Sequence, residues 1–200
     1  FLEKAGLFVW PLAGLSLLAV FVIVERLLAL RPGRIMPRSL VEQLIAGSID
    51  RTGADLTTAG GRILAFFRRN NPDAEGLKAY AQLEITRMER GMFLLDIVIA
   101  AAPLLGLLGT VTGLVSVFSN FSPETGMPDP GAFIQGIGLA LTTTILGLAI
   151  AIPALIGNAY LNRRVDNLAA RVNVAVERLL DLHRRGVPIG PQNPPPTPER

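Results

Sequence analysis

Five hydroxyls stand near the middle of two otherwise apolar runs: Thr110 and Thr112 in one, Thr142, Thr143 and Thr144 in the next. Each can bond the carbonyl one turn back in its own helix, with little consequence. Alternatively, some of them point into a central lumen and supply the polar groups along it. At about 100° per residue Thr110 shares a helix face with Pro103, Gly106 and Val117. It would then be a single polar point on an apolar wall, too little for a water-filled pore. A proton relay needs a side chain that loads and releases a proton. No carboxylate, histidine or lysine stands midway in any apolar run, so a protein of this sequence that moves ions must take that group from a partner. Asp96, about a turn inside the second run and close behind Arg90, is the nearest candidate and reads as interfacial.

Other chemistry is poorly provided for. The chain has no cysteine, which removes disulfides, thiol nucleophiles and thiolate metal sites. Its one histidine, His183, lies near the end of a polar helix, and no paired carboxylates occupy an apolar site. The glycines of the second run lack the lysine that a phosphate loop requires. An enzyme and a cofactor site are therefore not expected. The isoelectric point near 9.9 suggests nucleic acid at first sight, but the basic residues flank apolar segments and form no stripe with interleaved aromatics. Membrane topology accounts for them better.

The elements that would position the threonines follow from hydropathy. Half of the 200 residues are apolar and 18% are charged, against about a quarter in soluble domains, and the mean hydropathy is +0.44. At about 1.5 Å per residue, some 20 apolar residues cross a 30 Å hydrocarbon core. The first run, within residues 1–30 and spanning about 7–30, is broken only by Pro11, Gly14 and Ser16 up to Val24. It is longer than the roughly 7–15 residues of a signal-peptide core and lacks a small-residue exit, so it reads as a retained span. Runs at 93–118 and 133–160 give spans two and three. Arg31, Arg34 and Arg38 follow the first, Arg87 and Arg90 precede the second, and Arg163, Arg164 and Arg171 follow the third. The connection 119–132 carries Glu124 and Asp129 but no Lys or Arg. The positive-inside rule then predicts a periplasmic N-terminus, a cytoplasmic region 31–92, a periplasmic loop 119–132 and a cytoplasmic C-terminus.

The cytoplasmic region reads as helices broken at Pro32, Pro37, Gly60-Gly61 and Asn70-Asn71-Pro72. Asn71 would be an N-cap with Pro72 at the first helical position. Only Gly91 interrupts the pattern from there into span two, which predicts one long helix. After span three, Val165, Leu168, Val172, Ala175, Leu179 and Leu182 form a helical stripe over 161–186 that wants an apolar partner. The proline-rich tail 187–200 reads as disordered.

Small residues complete the pattern. Gly106, Gly109 and Gly113 in span two and Gly136, Ala140, Thr143, Gly147 and Ala151 in span three recur every three or four residues. In lipid such faces let helices approach closely, within a subunit or between subunits. Gly109, Gly113, Gly136 and Gly147 are the expected packing positions, with Phe21 or Val22 of span one turned to lipid.

The run from Ala102 to Val111, APLLGLLGTV, resembles the MotA/TolQ/ExbB proton-channel proteins, closest to their three-span ExbB/TolQ branch. Ala140 to Leu148, ALTTTILGL, continuing to Ala151-Ile152-Pro153-Ala154, carries a second likeness, and Pro11-Leu12, Ser16 and Glu25-Arg26 a weaker third. The resemblance implies an all-α membrane protein assembled as a pentamer, with spans two and three lining a hydrophobic pore. It implies an ExbD- or TolR-like single-span partner placing an aspartate in that pore, with Thr110 and Thr144 opposite it. Pro103, Gly106, Thr143 and Pro153 would stand along the same path. Proton flow would drive relative rotation and deliver force across the periplasm, for example to a TonB-like protein; a TolQ-like envelope role and a non-conducting scaffold are the alternatives. The best-known ExbB and TolQ chains carry a glutamate just before the Ala-Leu pair of span three. Here that position is Leu139, so the proton's exit has no residue assigned to it.

Overall fold

In a computed structural model, residues 8–46, 55–119 and 130–186 are described; the expectations for 120–129 and for the tail 187–200 fall outside them. The described residues form α1 (Val9–Ala29), α2 (Pro32–Ile35), α3 (Arg38–Ala46), α4 (Ala59–Asn70), α5 (Ala74–Glu89), α6 (Phe93–Ser119) and α7 (Pro130–Arg184), with no strand among them. The chain is an all-α protein with three helical stretches long and apolar enough to cross a membrane, in α1, α6 and α7. Two compact units share these helices: one of Phe1–Arg26 with Gly91–Leu161, the other of Leu27–Arg90 with Asn162–Arg200.

The first unit is the apolar one. Leu12 of α1, Ala102 of α6 and Ala151 of α7 are buried together, with Leu15, Leu105, Leu146 and Ile150 around them. Further along, Ile23 of α1 occupies the space left by the missing side chain of Gly157. Outside this seam the helices present bare hydrocarbon: Trp10 is 80% exposed, Ile134 72%, Phe21 68% and Phe118 66%. A soluble protein of this size rarely leaves so much large apolar surface uncovered, so these faces must meet lipid or other subunits. Phe21 is thus turned outward, whereas Val22 is buried at 4% exposure, because neighbouring helix positions point about 100° apart. Pro103 and Pro153 lie inside α6 and α7; packed transmembrane helices tolerate prolines that would break a soluble helix.

The second unit is held by a mixed core. Ile63, Leu64 and Phe67 of α4, Leu77, Ala81, Ile85 and Met88 of α5, and Val165, Leu168, Val172, Val176, Leu179 and Leu182 of α7 are buried. Glu84 is enclosed with them: Arg62 donates to its Oε2 from Nε at 3.0 Å and Nη2 at 2.6 Å, and Arg87 donates to its Oε1 at 2.6 Å. The bond to Glu84 holds the Arg62 guanidinium above its ordinary pKa. Phe66 stacks on Tyr80 with centroids 4.1 Å apart, and Phe67 meets His183 edge to face at 5.2 Å. Arg164 and Arg178 donate to the Leu30 and Leu44 carbonyls at 3.0 and 3.3 Å, tying the α7 part of this unit to its earlier segments.

Three local expectations need correction. Asn71 ends α4 instead of beginning α5: it takes φ 41°, ψ 54° and its N–H donates to the Phe67 carbonyl, a left-handed cap that Asn tolerates. The N-cap of α5 is Asp73, whose carboxylate accepts from the Gly76 N–H at 2.9 Å. Gly60 and Gly61 do not break a helix; they form the first turn of α4 behind Thr58, where a side chain on Gly60 would strike Leu40 and Met36. The helix expected to run unbroken into span two stops at Glu89 and restarts at Phe93, with Gly91 at φ 86° between. Glycine alone enters that region without steric cost, and the side chain of Arg26 lies against it, 3.3 Å from where a Cβ would stand.

Candidate functional site

The contact between α6 and α7 is built on absent side chains. A methyl on Gly106 would stand 2.9 Å from the Thr143 carbonyl oxygen and 3.1 Å from the Thr144 Cα; one on Gly113 would stand 2.9 Å from the Gly136 carbonyl oxygen. Gly109 faces the Thr143 side chain, Gly136 faces Val117, and Gly147 lies against Ala102 and Gly106. These glycines have no room for a methyl unless the helices part. The backbones therefore run close enough for side chains of α7 to reach the carbonyls of α6.

That approach joins three of the residues singled out above. Thr143 and Thr144 both donate to the Gly106 carbonyl at 3.3 Å, and Thr143 also donates to the Ala140 carbonyl at 2.9 Å. The Gly106 carbonyl is free to accept across the interface because a backbone oxygen has two lone pairs. Thr110, one turn further along α6, donates to the Leu107 carbonyl at 2.6 Å, Thr112 to Leu108 at 2.9 Å and Thr142 to Gly138 at 2.7 Å. Every one of these hydroxyl protons is thus committed to a backbone oxygen. What Thr110 and Thr144, both half-buried, still offer is lone pairs: they can accept from a protonated acid, and must rotate to donate to an ionised one.

The remaining positions divide. Thr143 is 0% exposed within a single chain, so it belongs to the α6 and α7 seam and cannot stand on a pore wall; its side chain fills the gap left by Gly109. Gly106 is buried in the same seam, Pro103 is half-buried and Pro153 exposed. From Ile97 to Ser119 and from Gly131 to Gly157 neither helix carries an Asp, Glu, Lys, Arg or His. At the Asp96 end, the exposed Asp96 accepts from Asn158 Nδ2 at 2.7 Å, and Asn158 is 8% exposed. Asn158 was not singled out from the sequence, since a lone amide near the end of a span has many uses. No group of three or more metal-ligating side chains occurs among the described residues.

Comparison with known proteins bears on this arrangement directly. Residues 56–174 match the model of the MotA/TolQ/ExbB proton channel family. The ExbB-like 1 biopolymer transport protein of a Synechocystis species is 36% identical over 173 residues, 76% of this chain and 66% of that protein. The biopolymer transport protein exbB1 of Vibrio cholerae is 30% identical over 187 residues, 85% of this chain and 81% of the relative. The ExbB of Helicobacter pylori is 36% identical over 100 residues, 49% of this chain and 68% of the relative. With this match across two of its three apolar helices, and the threonine and glycine seam lying within it, the chain is a multi-pass inner-membrane protein that belongs to the MotA/TolQ/ExbB proton channel family, in its ExbB/TolQ branch.

Proposed function

We propose that this chain is the ExbB-like subunit of a proton-driven inner-membrane motor, working as a ring around a single-span partner that supplies the titrating aspartate. The observation that carries the reading is the contrast within α6 and α7. Two half-buried hydroxyls, Thr110 on the Leu107 carbonyl and Thr144 on the Gly106 carbonyl, stand in helices without a central ionisable group. Exposed apolar faces on all three spanning helices fit a ring of copies with lipid outside, a pentamer by family likeness. The arginines flanking the spans orient the N-terminus to the periplasm and the C-terminus to the cytoplasm. An ExbD- or TolR-like chain is the partner of matching chemistry, and a TonB-like protein a recipient of the force.

In such a ring the partner's acid, once protonated, donates to a threonine lone pair; once ionised, it draws the hydroxyl away from its backbone acceptor. The threonines serve both states without holding charge themselves. An unpaired charge in an apolar bore is costly, so the ring without its partner is expected to leak few protons. Proton uptake into dye-loaded liposomes tests this. Uptake should appear with the partner present and be small without it; fast uptake by the ring alone refutes the partner-supplied acid. A complete complex that takes up nothing favours a scaffold.

A further inference from the structure

The face that carries Thr110 and Thr144 continues, and it ends in a carboxylate held by an amide. Asp96 precedes Thr110 on α6 by fourteen residues, with Pro103 midway; Asn158 follows Thr144 on α7 by fourteen, with Ala151 midway. Seven residues close two helical turns to within about 20°, so each set lies on one stripe. Fourteen residues span about 21 Å of helix. The chain thus carries two polar crossings between α6 and α7, one hydroxylic and one containing a carboxylate, in the same register and separated by apolar contacts.

The geometry of the second crossing points to more than packing. Asn158 donates from Nδ2 to Asp96 Oδ1 at 2.7 Å, while its own Oδ1 is enclosed without a hydrogen-bond partner among the described residues. Next to a group that changes protonation, both ends of the amide have a use. The N–H serves the carboxylate, and the oxygen serves the carboxylic acid after rotation about a torsion that is broadly two-fold in Asn. The charged side chains of α1 near this end are Glu25 and Arg26, paired with each other at 2.7 Å. Asp96 itself is exposed.

We infer that Asp96, held by Asn158, receives the proton after water in the bore has relayed it over the roughly 21 Å from the threonine level, and passes it to cytoplasmic water. The proton that adds to the carboxylate is the one released by the partner's acid, and the acid formed at Asp96 returns to carboxylate when water takes it; Asn158 gains and loses nothing. This rests on the motor reading above, and it gives the chain an ionisable group on the cytoplasmic side of the threonines.

The test uses the complex with its single-span partner in sealed phosphatidylethanolamine and phosphatidylglycerol liposomes containing a pH-sensitive dye. Asp96→Asn keeps an acceptor for the Asn158 N–H but cannot titrate. It should assemble normally and reduce gradient-driven uptake at least about tenfold, the low end of what a positioned proton-transfer group contributes. Asp96→Glu should retain most of the flux. Wild-type uptake in an assembled Asp96→Asn complex overturns the inference and leaves Asp96 a clamp, with the motor reading intact. A wild-type complex that takes up no protons removes both. Should Asp96→Asn fail to assemble, infrared difference spectra across the active pH range decide the matter: a carboxylic-acid band that moves in Asp96→Glu supports the role, and one unchanged in that variant overturns it.

Discussion

Gly109 of α6 lies directly against the side chain of Thr143 on α7, so close that a methyl at position 109 would overlap both its hydroxyl and its methyl. Thr143 has nowhere to retreat, since it is wholly enclosed and bonded to the Ala140 and Gly106 carbonyls. Gly109→Ala should therefore destabilise by about 1–3 kcal/mol, the range for overpacking, despite alanine's better helix propensity. Gly109→Leu should prevent the helices from pairing. Thermal unfolding in detergent and native mass spectrometry of the assembly read both effects; a stable, assembled Gly109→Leu would mean that this seam is not the packing contact.

Thr110→Val and Thr144→Val keep shape and remove the hydroxyl. Both should yield assembled complexes with proton-dependent activity reduced about tenfold or more, because 1.4 kcal/mol already corresponds to a factor of ten in rate. A proton descending 100 mV releases only about 2.3 kcal/mol, and a hydrogen bond to a charged group is worth about 1.5–3 kcal/mol. Thr112→Val, which loses only a bond to the Leu108 carbonyl at an exposed position, should be milder. Serine at 110 or 144 should restore activity. Wild-type flux in both valine variants would reduce these residues to packing.

In the second unit, Glu84 is fully enclosed while Arg62 and Arg87 reach it from more exposed positions, with side chains 32% and 53% accessible. Removing Arg62 leaves a buried carboxylate with one ligand fewer. Arg62→Met should cost about 3 kcal/mol, the low end for breaking a buried pair, since one partner remains and water reaches the other. Arg62→Met combined with Glu84→Leu should recover much of that loss. A thermal-melt cycle of the two single variants and the double variant checks the coupling; additive losses would show that the bond contributes little.

The junction of α4 and α5 offers a cleaner backbone test. Asn71→Val places a β-branched residue at φ 41° and should destabilise by about 1–2 kcal/mol, whereas Asn71→Gly should be near neutral. Asp73→Ala removes the cap on Gly76 N–H and should cost about 1 kcal/mol. Limited proteolysis within 70–74 would report both effects, as faster cleavage in Asn71→Val and in Asp73→Ala and unchanged cleavage in Asn71→Gly.

The all-α character and the three spanning helices were legible in the sequence because a membrane demands long apolar runs with internally satisfied backbones. The close-packing glycines were legible for a related reason: their spacing at three and four residues puts them on one helix face whatever that face meets. What the face meets is a matter of three dimensions. That Thr143 is swallowed by the gap at Gly109 while Thr144 stays half-open, that both share the Gly106 carbonyl, and that Asn158 reaches Asp96 from 62 residues away are facts of how α6 and α7 register. Neighbouring threonines look alike in a sequence, and only the packed helices separate them. The same holds for Arg62 and Glu84, whose pairing leaves no periodic trace over 22 residues, and for Asn71 and Asp73, whose exchange of capping roles turns on one left-handed residue. Local pattern determines where helices form; close contact between helices decides which of their polar atoms remain available for a proton.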